Sequence, residues 1–128
     1  MPIRIVRLGT PRLPEEGLRL GTVRRPPRGV RKEDFAAQNW YDVWFPNLAP
    51  SAALVKLALT AKTEREWSGF VKHYRAEMTE ADIARTLDVL AALSHQTSFS
   101  LGCYCEHESR CHRSVLRALL RERGAEIG

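Results

Sequence analysis

Two hydrophobic rhythms trade places along this 128-residue chain, and their alternation restricts the fold more than any single residue does. Apolar positions recur every second residue over Ile3 to Leu8, about Leu18 to Val23, Tyr41 to Phe45, and Ser98 to Cys103 or Cys105, which predicts four β-strands. Between and after them the period lengthens to that of a helix. Asn47-Leu48-Ala49-Pro50-Ser51 delivers an N-cap serine to a helix ending near Ala61. Thr63 and Glu66 make a capping box ahead of Trp67, Phe70, Val71, Tyr74 and Met78, one apolar face at helical spacing. Thr79 with Asp82 starts the next helix, whose Ile83, Leu87, Leu90 and Ala91 face inward, and a last helix runs roughly from Cys111 to Arg123 with Gly124 as its stop. Strands interleaved with helices predict one α/β domain over 1–128, a small partly parallel sheet covered by helices.

Composition excludes several classes. With 44% hydrophobic and 27% charged residues the chain can build a core, and no stretch approaches the roughly 20 apolar residues of a membrane span. The arginine-broken start, Ile3-Arg4-Ile5-Val6-Arg7, does not read as a secretory signal. Three cysteines cannot pair completely, so a reducing, cytoplasmic setting is expected, without membrane contact. The net charge of +5 is concentrated at the front, where residues 1–32 hold nine Lys or Arg against Glu15 and Glu16. Such a field favours a phosphorylated or carboxylated small molecule, a nucleotide or nucleic acid. Arg4, Arg7, Arg12 and Arg19 can be outward strand or loop residues, whereas Arg24, Arg25 and Arg28 crowd around Pro26-Pro27 just past a strand end.

The reactive residues gather near the other end. The fourth predicted strand empties into Cys103-Tyr104-Cys105, a polar loop, and Cys111-His112-Arg113-Ser114 at a helix start, and open α/β sheets bind ligands at the carboxyl ends of their strands. An anion site would use the first N–H groups of that helix with Arg113 and Ser114, reinforced by Arg24, Arg25 and Arg28. Thiol catalysis would use Cys111, its pKa lowered by the helix start and His112, with Asp42 as a candidate general base. Zinc would take Cys103, Cys105, Cys111 and His112, although C-x-C within a strand points its side chains to opposite faces, and no cofactor is otherwise expected. In a fourth reading the cysteines are small apolar core residues. Trp44 and Tyr104 are candidate surfaces for stacking a base.

Ile3 to Leu8, Glu16-Gly17-Leu18-Arg19-Leu20, Arg25-Pro26-Pro27-Arg28-Gly29, Leu48-Ala49-Pro50-Ser51, and Trp67-Ser68-Gly69-Phe70 with Tyr74 and Glu77-Met78 together resemble the YeaO-like proteins of the domain of unknown function 488 family. The Cys111-His112-Arg113 ending is similar to that of the family's longer members. The resemblance implies a Rossmann-like α/β domain and leaves the chemistry open. The expected function is therefore an anion- or nucleotide-binding cleft between Arg24–Gly29 and Cys105–Ser114, with thiol chemistry as an addition. The alternatives are a nucleic-acid-binding module using the basic first third, or a structural, partner-binding domain.

Overall fold

A computed structural model describes residues 2–128. Among these the strands are β1 (Ile3–Arg7), β2 (Leu18–Gly21), β3 (Val43–Trp44) and β4 (Phe99–Cys103), and the helices are α1 (Ala52–Thr60), α2 (Glu64–Glu77), α3 (Ala81–Leu93) and α4 (His112–Glu122). The sheet runs β1-β4-β2-β3 and every neighbouring pair is parallel, where the sequence predicted only partial parallelism. Long crossovers join all the strands, which is the connection that parallel pairing requires. This is the predicted single layered α/β fold.

The layering is one-sided. Ile3, Phe99 and Leu101 on one face of the sheet join Leu48, Leu54, Phe70, Tyr74, Leu87 and Leu116, so every helix region packs into the same main core. The opposite face is closed by loops around a buried ion pair. Arg19, expected to be free to point outward, is 0% exposed: Nε and Nη2 donate to the Glu16 carboxylate at 2.8 and 3.0 Å, and Nη1 donates to the Thr10 and Asn39 carbonyls. Ser100, on the neighbouring strand, adds a 2.8 Å hydrogen bond to Glu16. Burial by itself would raise the Glu16 pKa, but these partners outweigh it and hold the group below its usual 4.5.

Local signals explain most helix boundaries. Ser51 caps α1, and the Thr63–Glu66 capping box is complete at α2. Gly124 ends α4 with φ +81°, in the left-handed region that glycine enters freely. At α3 the cap is Glu80, whose carboxylate accepts from Ile83 N–H; the predicted cap, Thr79, turns its hydroxyl back to the Ala76 carbonyl instead. Strand β3 is also shorter than the predicted Tyr41–Phe45. Tyr41 stays outside it, its ring seated against Gly21, where an added Cβ would lie 2.3 Å from the ring.

Candidate functional site

The carboxyl ends of β2 and β4, adjacent in the sheet although far apart in sequence, open into one cavity of about 1110 Å³. The loop after β2 forms one wall through Thr22, Arg24, Arg25 and Arg28. The segment after β4 forms another through Cys103, Tyr104, Cys105, Cys111 and His112, and α1 closes a third side with Val55 and Lys56. The two predicted stretches thus meet, and a hydrogen bond from Tyr104 OH to the Arg25 carbonyl at 2.8 Å joins them. Arg24, Arg25 and Arg28 are all exposed toward the opening.

At the cavity floor the sequence has built a fixed imidazole. His112 is the first residue of α4 and only 8% exposed, packed edge-on against Tyr74 with ring centroids 5.7 Å apart. Its Nε2 lies 2.8 Å from the Thr22 carbonyl oxygen and 3.1 Å from Thr22 Oγ1. A carbonyl only accepts, so Nε2 carries the hydrogen and Nδ1 is the free basic position. That Nδ1 stands 3.6 Å from Cys111 Sγ.

Three thiols converge here. Cys103 and Cys111 are each 1% exposed with sulfurs 2.7 Å apart, and Cys105, half-buried on the wall, interacts with both. The C-x-C objection does not apply, because β4 ends at Cys103 and Cys105 belongs to the loop, free of strand alternation. Hydrogen bonds to Cys105 and Cys111, with burial, push the Cys103 thiol up. Cys105 is pushed down by hydrogen bonds from Cys103 and then Cys111, and by the Arg113 charge. Cys111 is lowered first by its hydrogen bond with Cys103; the His112 contact adds to this against the cost of burial. The three thiols thus differ in their surroundings, Cys103 being disfavoured as a thiolate and Cys105 and Cys111 favoured.

Other predicted residues lie elsewhere. Arg113 is 3% exposed and absent from the cavity wall: it donates to the Cys105 carbonyl at 2.6 Å, and its Nε finds no hydrogen-bond partner among the described residues. Ser114 also stands off the wall, donating to the Cys111 carbonyl at 2.9 Å. Helix α4 starts beneath the surface, so Cys111 and His112 line the cavity whereas Arg113 and Ser114, the next two residues, do not. Asp42 is not on the wall either; Arg12 binds it at 2.7 Å and Arg19 N–H at 2.8 Å, and these contacts outweigh burial to lower its pKa. Trp44 is 44% exposed and braces the arginine loop by donating to the Val23 carbonyl; the tryptophan on the wall is Trp40, edge-on to Tyr104 at 6.0 Å.

Sequence reasoning missed Thr22, Trp40, Lys56 and Arg110 on the wall. Thr22 carried a faint signal, as a polar residue at a predicted strand end. Arg110, which pairs with Glu64 and lies over the Trp67 ring at 5.6 Å, carried none beyond its place in the loop.

Cys103, Cys111 and His112 also present donor atoms within 4.8 Å of one another, a set of the kind zinc accepts. Their spacing fits it less well. Two thiolates about 2.3 Å from one tetrahedral zinc stand roughly 3.8 Å apart, against the 2.7 Å here.

Fold and site define a parallel α/β domain with a basic, thiol-bearing cleft at its strand ends. The model of DUF488-N3a, described as the active DUF488-N3 subclade, matches residues 3–124, and the chain belongs to the domain of unknown function 488 family. No curated protein and no solved structure matches it.

Proposed function

We propose that the chain is a thiol-dependent enzyme acting on an anionic substrate, a phosphorylated or carboxylated small molecule or a nucleotide. Cys111 is the nucleophile, His112 Nδ1 takes and returns its proton, and Arg24, Arg25 and Arg28 hold the substrate's charge. Arg113 acts behind the wall, where its positive charge favours the thiolates over the thiols. The observation that carries this reading is the chain of contacts from the Thr22 carbonyl through the His112 ring to Cys111 Sγ, the arrangement by which an adjacent base activates a thiol. The description of the matching family as an active subclade agrees with it. The cavity wall carries five cationic side chains and, among the described residues, no acidic one, so the field there suits an anion. Trp40 and Tyr104 offer aromatic edges to a base, and the free cysteines suit a reducing compartment such as the cytoplasm.

Alkylation mapped against pH tests the assignment. Cys111 is expected to lose less of its alkaline rate with iodoacetamide at neutral pH than a thiol with the usual value of 9.0, which slows about a hundredfold. His112→Gln is expected to bring back part of that slowing, and nucleotides or phosphate should protect the wild type but not the combined Arg24→Gln, Arg25→Gln, Arg28→Gln variant. An ordinary pH profile at Cys111 defeats the proposal, and steeply salt-dependent DNA or RNA binding without such protection would favour the nucleic-acid module. Zinc is the second reading, on the strength of the donor set; one equivalent of zinc per chain in purified protein would replace the nucleophile with a metal centre.

A further inference from the structure

We infer that Cys103 is the resolving partner of Cys111, and that the pair is a dithiol that reduces anionic low-molecular-weight disulfides bound in the cleft. The inference rests on the reading of Cys111 as nucleophile and adds a substrate class and a second thiol to it. Four observations carry it. The two sulfurs stand 2.7 Å apart, inside the contact distance of non-bonded sulfurs and not far from the roughly 2.05 Å of a disulfide. Both positions are held by the fold: Cys103 ends β4, which is paired on both sides, and Cys111 is the N-cap of α4, its N–H bonded to the Glu108 carbonyl at 3.0 Å. The intervening loop is anchored, since Arg117 grips the Glu108 carboxylate at 2.6 and 2.9 Å, so closing the bond needs no chain rearrangement. His112 lies within 4.8 Å of both sulfurs, so one base serves two thiols in turn.

The reaction balances as two exchanges. The Cys111 thiolate attacks one sulfur of the bound disulfide, the substrate's S–S bond breaks, and the first thiolate leaves with the proton held on His112. Cys103 then passes its proton to the neutral imidazole and attacks Cys111 Sγ. The bond from Cys111 to the substrate half breaks, and the second thiolate departs with that proton. One disulfide has been reduced by two electrons to two thiols, and Cys103 and Cys111 are joined. The preference for anionic halves follows from the cavity wall, on which Arg24, Arg25, Arg28, Lys56 and Arg110 stand together with Cys111.

The test uses the intact reduced chain with glutathione disulfide as the probe, quenched over time with an alkylating reagent and mapped by mass spectrometry. The expected product has lost two hydrogens, carries a Cys103–Cys111 bond, and leaves Cys105 as the one alkylated residue of the three cysteines. Cys103→Ser is expected to stop at a glutathione adduct on Cys111. In the wild type, an adduct on Cys111 that persists overturns the resolving role while leaving the nucleophile standing. Failure of Cys111 to react at all overturns both, and a disulfide that includes Cys105 overturns the pairing. The wild-type map decides the question even if the variant does not fold.

Discussion

Two buried arginines on opposite sides of this sheet have opposite surroundings. Arg19 donates four hydrogen bonds, two to a carboxylate and two to loop carbonyls, and its partner Glu16 is itself braced by Ser100. Arg113 donates to the carbonyl of Cys105, leaves Nε without a hydrogen-bond partner among the described residues, and lies within electrostatic reach of all three cysteines. The first is a completed structural ion pair. The second is a buried cation whose counter-charge, on the proposed reading, is a cysteine thiolate. A polar group left short of partners in the interior costs free energy, and such groups cluster where a site needs them.

The comparison breaks most easily at Glu16. Glu16→Gln leaves the Arg19 charge buried without its partner and is expected to cost about 3–5 kcal/mol in urea unfolding, because removing one member of a buried pair strands the other. Acid probes the same pair more gently. Folding lowers the Glu16 pKa, so its contribution is complete above the unfolded value near 4.5 and fades as pH falls through the folded one. Thermal melts across that range should fall more steeply for the wild type than for a Glu16→Gln, Arg19→Met double variant. The smallest effect on stability belongs to Arg113→Met, about 1.5–3 kcal/mol for one charged hydrogen bond. Its larger mark should be on reactivity, an upward shift in the pH at which alkylation of Cys105 sets in, because the Arg113 charge is one of the causes that lower that thiol. Equal losses of stability at Arg19 and Arg113, with thiol reactivity unchanged, would erase the distinction.

The contrast also marks where sequence reasoning stops. The period of Leu18-Arg19-Leu20 pointed Arg19 outward, whereas Arg19 is buried and Leu18 exposed, and nothing local reveals that loops from Thr10 and Asn39 roof the arginine. The α2 capping box and apolar stripe were legible because a helix records its partners at fixed spacing. Strand order was not, since β2 and β4 become neighbours through pairings across about eighty residues. Within the site, the Cys111–His112 pair and the convergence of the arginine loop could be anticipated. The tautomer could not, because it is set by the Thr22 carbonyl, a backbone atom with no signature in residue type. Arg113 and Ser114 looked like ligand groups by position on a first helical turn, and they turn inward because α4 begins beneath the surface.

The bond from Tyr104 OH to the Arg25 carbonyl, with Trp44 Nε1 held on the Val23 carbonyl 2.7 Å away, ties the arginine loop down before anything enters the cleft. The backbone freedom of that loop is spent during folding and not again at each encounter, which on the proposed reading lets an anionic substrate keep more of its gross attraction as affinity.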